Sequence, residues 1–199
     1  MPTRRLGDFA SDITRTTDLV RLGQAIGGMT NGLVDATDLY RAALVQGVAA
    51  WDRYVHGVVL DRAIEILFGR LASGGAGRTG LSIGAVATLL NSPDMVTCEL
   101  TARSVVAQYL AKETYQRPDD VEKALAMVGV KAIWSSAFAN AAQAKIALGV
   151  VIDRRNRIVH QCDYDPVLPG TVVPLTAEDA LDTLRVISET VHAVDPRCA

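Results

Sequence analysis

Hydrophobic positions along the chain recur at intervals of three and four residues, a period typical of α-helices, and the alternation expected of strands is missing. The pattern predicts a first helix over residues 8–28, which a pair of glycines would end, and a long second helix over residues 33–70. Further helices are predicted over Ile83–Leu90, Met95–Glu113, 118–128, from Val130 through Ile146 to about residue 163, and from Thr176 onward. We therefore expect one all-α domain, an antiparallel helical bundle covering residues 1–199.

Two segments interrupt this helical pattern. Residues 69–80 carry five glycines and are predicted to form a loop. They do not match the phosphate-binding pattern GxxxxGK[ST], and no predicted strand precedes them. Prolines at 166, 169 and 174 are expected to exclude helix from a linker, so residues 166–199 form that linker and a C-terminal helix. Thr176 and Asp179, at the start of the last helix, have the spacing of a capping box.

Composition and charge narrow the classes of function. The chain has 199 residues, 49% of them hydrophobic and 21% charged, and a formal net charge of −2. This balance excludes a strongly basic nucleic-acid binder, and two Trp, five Tyr and three Phe are too few for a broad base-stacking platform. The three cysteines lack metal-ligand spacing, and no signal-peptide or membrane-spanning run occurs. We expect a cytoplasmic protein with no membrane segment, metal or other cofactor.

The segment from residue 151 to residue 160 contains the strongest candidate for chemistry. Four apolar residues lie three or four positions to either side of Arg155 in a helix, namely Val151, Ile152, Ile158 and Val159. Arg155 is therefore predicted at the centre of an apolar face, where arginine is rarely buried without a partner. Its guanidinium is expected to meet an anion at the edge of an interface or an acid in the core.

Asn156 and His160 add two further functional groups beside that face. They lie four residues apart, so on a helix their side chains are neighbours, and the amide can hold the imidazole in one orientation. Arg155 and His160 are about 140° apart on an ideal helix and do not share a face. Either the helix ends or tightens near His160, or a two-fold dimer brings each Arg155 close to His160 of the other copy.

Arginine and histidine together suit cleavage of RNA without a metal. The 2′-hydroxyl needs a base and the 5′-oxygen needs an acid, and histidine ordinarily titrates near neutral pH. Arginine stays charged, and its planar fork can stabilise phosphoryl oxygens. DNA lacks the internal nucleophile and is the less suitable substrate. The competing interpretation is a solvated helix face with a structural histidine, because Asp153, Asp163 and Asp165 cancel the local charge.

The segment Arg155-Asn156-Arg157-Ile158-Val159-His160 matches the R-N-x-x-x-H form of the Rx4–6H motif, and with its surroundings, RRNRIVHQCD, it resembles HEPN-domain ribonucleases of the RiboL-PSP branch. Upstream, residues 40–44 (YRAAL) and 50–56 (AWDRYVH) are similar to the long second helix of that branch. The resemblance covers about residues 10–165. It implies a HEPN-type bundle that dimerises through the Rx4H helix and forms one metal-independent endoribonuclease site. It also implies a toxin or anti-phage defence effector whose partners are RNA and an antitoxin or defence-complex subunit.

The resemblance assigns roles to individual residues. Arg155 would stabilise the phosphate, Asn156 would position the phosphate or the imidazole, and His160 would be the acid–base residue. Arg154 and Arg157 would steer the RNA backbone. In toxins paired with nucleotidyltransferases the motif continues H-x-Y; here the residue two after the histidine is a cysteine, so control by nucleotidylation of such a tyrosine is not expected.

Asp52 and His56, four apart on the long helix, have two interpretations. They are either a helix-stabilising pair or a support for His160. Two alternatives to the nuclease also stand. One is a catalytically inactive HEPN-like module that binds a protein or nucleotide partner. The other is an all-α scaffold in which Arg155 pairs with a buried acid such as Glu65 or Asp52.

Overall fold

A computed structural model of the chain describes residues 2–72, 82–168 and 170–199. Helices make up 74% of the described residues, which contain no strand, only one isolated bridge between Tyr164 and Val172. The prediction of an all-α fold is confirmed. Most of the glycine-rich segment predicted as a loop, 69–80, and the proline at 169 lie outside the described residues. In the described ranges no helix is long and apolar enough to cross a bilayer.

Eight helices are present in these ranges. They are α1 (Arg4–Met29), α2 (Thr37–Leu67), α3 (Ile83–Leu90), α4 (Met95–Leu110), α5 (Pro118–Met127), α6 (Ile133–Ala137), α7 (Ala141–Gln161) and α8 (Ala177–Cys198). The bounds of α3 are those predicted, and α4 ends three residues early. The predicted capping box is confirmed at the start of α8, where the Thr176 side chain accepts a hydrogen bond from the backbone N–H of Asp179 at 3.1 Å.

The prediction of one continuous helix from Val130 into the motif is wrong. Phe138 adopts an extended conformation after α6, with φ −127° and ψ 136°. A new helix, α7, then begins, and the side chain of Asn140 caps it by accepting a hydrogen bond from the Gln143 backbone N–H at 3.1 Å. The motif therefore lies on a separate helix whose direction is set independently of α6.

Helix α2 lies at the centre of the bundle and contacts α1, α4, α5, α7 and α8. The apolar residues that recur three and four apart along its middle are buried, namely Leu44, Val48, Trp51, Val55 and Val58. Ion pairing of Arg5 with Asp61 and contact of Gly23 with Tyr40 show that α1 and α2 are antiparallel. Helix α8 instead runs parallel to α2. It can approach closely because a Cβ at Gly47 would lie only 2.5 Å from Leu184.

A buried carboxylate joins the first helix to the last. The Asp195 side chain on α8 accepts hydrogen bonds from the backbone N–H of Thr3 at 2.9 Å, from the Thr3 hydroxyl, and from the Tyr54 hydroxyl at 2.9 Å. Asp195 is 1% exposed, so these donors replace the water that a buried charge has lost. Burial raises the pKa of Tyr54, which keeps its hydroxyl protonated as a donor.

Candidate nucleic-acid site around helix α7

The whole Rx4H motif lies within regular helix. Helix α7 ends at Gln161, one residue after His160, and the chain reverses through two left-handed residues, Cys162 (φ 49°) and Asp163 (φ 57°). No tightening separates Arg155 from His160, so they remain about 140° apart around the helix axis. One copy of α7 therefore directs the two side chains to different sides.

Arg155 lies where the apolar face of α7 passes the edge of the bundle. Val151 and Ile152 are buried, as predicted, and Ile158 is half-buried against the core. Val159, predicted on the same face, is 44% exposed. Arg155 is therefore partly buried, with apolar side chains of α7 on one side of it and solvent on the other side.

The Arg155 guanidinium has no carboxylate partner among the described residues. Its Nη1 donates a hydrogen bond to Oδ1 of Asn156 at 3.1 Å, and its Nε is buried with no described acceptor. The two acids proposed as buried partners are engaged elsewhere. Glu65 accepts two hydrogen bonds from Arg70, at 2.9 and 3.0 Å, and Asp52 accepts one from the backbone N–H of Tyr115 at 2.6 Å. The scaffold alternative, with its buried ion pair, does not describe this chain.

The structure gives Asn156 a different contact from the one predicted. Its side-chain oxygen accepts from Arg155 and not from the imidazole of His160. His160 is exposed in the last turn of α7, and no described residue forms a hydrogen bond with its imidazole. Asn156 thus orients the guanidinium, while the imidazole stays open to solvent or to another molecule.

Arg154 is held in an internal ion cluster. Its Nη2 donates to Oδ2 of Asp163 at 2.7 Å and to the carbonyl oxygens of Val173 and Pro174, both at 3.1 Å. Arg41 on α2 donates to the same Asp163 oxygen at 3.1 Å. Asp163 is fully buried, so the cluster fastens the end of α7 to α2 and to the segment before α8. These contacts favour a structural role for Arg154 over the predicted contact with RNA.

Arg157 differs from Arg154 in its surroundings. It is partly buried along a groove between α7 and α8, and no described carboxylate or carbonyl oxygen pairs with it. Its charge therefore remains available to an incoming anion.

Asp52 and His56 lie in another part of the molecule. The imidazole of His56 hydrogen-bonds the carbonyl oxygens of Asp52 and Leu110, at 2.8 and 3.1 Å, and its ring lies 4.5 Å from that of Tyr115. Burial raises the pKa of Tyr115 to about 12. At about 1.5 Å per residue, His56 is roughly 22 Å along α2 from Arg41, which contacts the end of α7. The structure thus separates this pair from His160 and joins it to α4 and the loop after it.

Sequence reasoning missed the importance of Arg41. The sequence pattern points to Arg41 only as part of the YRAAL segment. It points to Asp163 only as one of the acids whose charge cancels that of the neighbouring arginines. Arg154 and Asp163 are nine residues apart, a spacing that does not make them neighbours on a helix. Both contacts of Asp163 depend on the reversal of the chain after α7 and on tertiary packing.

Comparisons with known proteins add no relative: no protein-family model, curated protein or solved structure matches the chain. The resemblance to HEPN ribonucleases therefore depends on the motif segments themselves.

Proposed function

We propose that this protein is a metal-independent endoribonuclease of HEPN type whose active site combines residues from two copies of the chain. The observation that carries the proposal is the placement of Arg155. A partly buried guanidinium without a described acid partner sits at the edge of the bundle, on the same helix as an exposed histidine. A desolvated cation of this kind is stabilised by a negatively charged ligand such as RNA phosphate.

The need for a second copy follows from the helix geometry. Arg155 and His160 diverge by about 140° in one protomer, so a single α7 cannot direct both at one phosphate. Apolar side chains around the end of α7 are exposed, namely Val159, Tyr164, Val167 and Leu168. Clustered exposed apolar residues mark interaction surfaces, and a two-fold dimer would use this surface on both copies. Two arginines and two histidines would then line one groove.

In the proposed mechanism one His160 accepts the proton of the 2′-hydroxyl as its oxygen attacks the adjacent phosphorus. The bond from phosphorus to the 5′-oxygen breaks, and that oxygen receives a proton from the second His160. The products carry a 2′,3′-cyclic phosphate and a 5′-hydroxyl. Arg155 stabilises the charge that develops on the non-bridging oxygens, and Asn156 orients the guanidinium through the 3.1 Å hydrogen bond.

Digestion of RNA in the presence of EDTA tests the activity. Wild-type protein should cut RNA and leave cyclic-phosphate ends, and His160→Ala should cut more slowly by roughly 10²–10⁴-fold, the usual contribution of an acid–base residue. His192→Ala is the matched control, because His192 is also an exposed helical histidine but lies on α8. Intact RNA with wild-type protein, or equal rates for wild type and His160→Ala, would contradict the proposal.

We further propose that the protein acts in the cytoplasm as a toxin or anti-phage defence effector, restrained by an antitoxin or by another subunit of a defence complex. Expression of the wild-type protein should then arrest growth, and expression of His160→Ala to the same level should not. Growth arrest by both proteins would show that the harm does not come from RNA cleavage.

The second candidate is a catalytically inactive helical module that binds a protein. It is favoured by one observation: α3 buries none of its residues, and Ile83 and Leu90 on one side of it are almost fully exposed. Exposed apolar side chains of this kind suit a protein partner. This candidate gains if wild-type protein leaves RNA intact and its expression does not affect growth.

A further inference from the structure

Arg157 and His160 lie close together on the outward side of α7. Residues three apart on a helix are separated by about 60° around the axis, so these two side chains are neighbours, unlike Arg155 and His160. Among the described residues neither forms an ion pair. Arg154, by contrast, is bound to Asp163. One protomer therefore presents a cation and an imidazole side by side at the end of α7.

A groove of about 560 Å³ between α7 and α8 leads away from this pair. Its floor is apolar and buried, formed by Leu44, Val151 and Leu175. Along the α7 wall, Ile146 and Val150 are 60% and 64% exposed. The volume falls within the usual range of about 300–1,000 Å³ for small-ligand sites. Exposed apolar side chains on a groove wall are expected where a ligand covers them.

The other charged groups of the groove have partners within the chain. Arg185 donates to Asp182 at 3.0 Å and to Glu189 at 3.5 Å. The Asp179 carboxylate accepts from the backbone N–H and the hydroxyl of Thr176, at 2.8 and 2.7 Å, and these hydrogen bonds hold its pKa below the ordinary value for an aspartate. Of the arginines that line the groove, Arg157 is the one whose charge no described residue balances. The groove thus combines apolar walls with one available positive charge at the end near His160.

We propose that this groove is a nucleotide subsite, in which Arg157 binds a backbone phosphate and the apolar walls receive the attached base. The role of this subsite next to a cleavage site rests on the proposed ribonuclease function, whereas the binding of a nucleotide in the groove does not. A nucleotide of single-stranded RNA matches the groove because it brings a negative charge to Arg157 and a flat base, whose faces have little polar surface, to Val150 and Ile146. Gln143 and Thr183 also line the groove and supply hydrogen-bonding groups for base edges.

Binding of a short 2′-O-methyl RNA tests the subsite, because this probe lacks the free 2′-hydroxyl needed for cleavage. Fluorescence anisotropy over a series of salt concentrations gives both the affinity and its salt dependence. Arg157→Ala should weaken binding about tenfold, as expected for loss of a charge-assisted hydrogen bond. It should also reduce the slope of log K against log salt by about 0.7, the contribution of one phosphate in a single strand. Arg157→Lys should restore the slope because it keeps the charge.

Matched variants separate the groove from general surface charge. Arg185→Ala removes an arginine from the same groove, but one already paired with acids, so it should change the affinity less than about twofold. Val150→Asp places a negative charge on the apolar wall and should weaken binding, whereas Val150→Leu should not. Thermal unfolding of each variant shows that a loss of binding does not come from a loss of fold.

Several outcomes would overturn the subsite. One is that Arg157→Ala and Val150→Asp bind the probe as tightly as wild type does. Another is that Val150→Asp changes the oligomeric state of the protein but not its affinity for the probe, because the groove would then be an interface between copies. If wild-type protein cuts RNA in EDTA and Arg157→Ala binds and cuts equally well, the subsite fails and the ribonuclease stands. If the probe binds through Arg157 but wild-type protein cuts no RNA, the subsite stands and the ribonuclease fails.

Discussion

Replacing Asp163 with asparagine tests how the C-terminal end of α7 is held. The Asp163 carboxylate is fully buried and accepts hydrogen bonds from two arginines, Arg154 at 2.7 Å and Arg41 at 3.1 Å. Asparagine keeps the size of the side chain and, like aspartate, tolerates the left-handed conformation found there, with φ 57°. The substitution therefore removes the charge with little effect on the backbone.

The expected loss can be worked out from the burial of the cluster. Removing one member of a buried ion pair costs about 3–5 kcal/mol, because a charge is left without a partner. Arg154 and Arg41 are 16% and 14% exposed, so solvent compensates them only in part. Both also donate to the carbonyl oxygen of Val173, which remains. We therefore expect a loss of unfolding free energy at the lower end of this range, about 3 kcal/mol. Such a loss would lower the Tm by roughly 6–12 °C in a domain of this size.

Urea unfolding followed by circular dichroism measures this loss. Asp153→Asn is the matched control on the same helix, because Asp153 pairs with Arg117 at 2.8 Å and both side chains are exposed. Exposed pairs contribute about 0–1 kcal/mol, so the control should unfold almost as wild type does. A loss below about 1 kcal/mol for Asp163→Asn would refute the reasoning, since a buried pair would then behave like an exposed one.

Three further predictions concern other parts of the molecule. Tyr54→Phe removes a donor from buried Asp195 and should lower the free energy of unfolding by about 1–3 kcal/mol in urea, so an unchanged midpoint would contradict this account. Burial acts to raise the pKa of Asp61, but hydrogen bonds from two arginines hold the pKa below the ordinary value for an aspartate. Its contribution to stability is therefore present above about pH 4 and lost on further acidification, and Asp61→Asn should lose less stability than wild type between about pH 5 and 3. Burial raises the pKa of the Cys198 thiol to about 11, whereas Cys162 is exposed, so iodoacetamide should modify Cys162 first, as mass spectrometry can show.

Much of the fold could be predicted from the sequence because it depends on local signals. The three- and four-residue spacing predicted the helices, and the capping-box spacing correctly placed the start of α8. The break between α6 and α7 was missed, although Asn140 followed by Gln143 is an N-terminal capping pattern. In that stretch the apolar periodicity continues on both sides of the break and conceals it.

The candidate site could be predicted less well, because pairing partners depend on tertiary contacts. Arg154 and Arg157 are equivalent in the sequence, yet only Arg154 reaches Asp163, the carboxylate that Arg41 also contacts. His56 and Asp52 were correctly expected to be helix neighbours, but the pairing of α2 with the end of α4 could not be inferred from spacing. The partly buried position of Arg155, in contrast, followed from the apolar residues three and four positions away.

Mixing wild-type protein with His160→Ala tests most directly whether the site is shared between two copies. Equal amounts of the two proteins are unfolded together, refolded together and assayed on RNA in EDTA. If one groove needs His160 of both copies, only dimers of two wild-type chains cut RNA at the full rate. These are about one quarter of all dimers, so about one quarter of the activity of the same total amount of wild-type protein should remain. If about one half remains, each wild-type chain cuts RNA independently and the site is not shared.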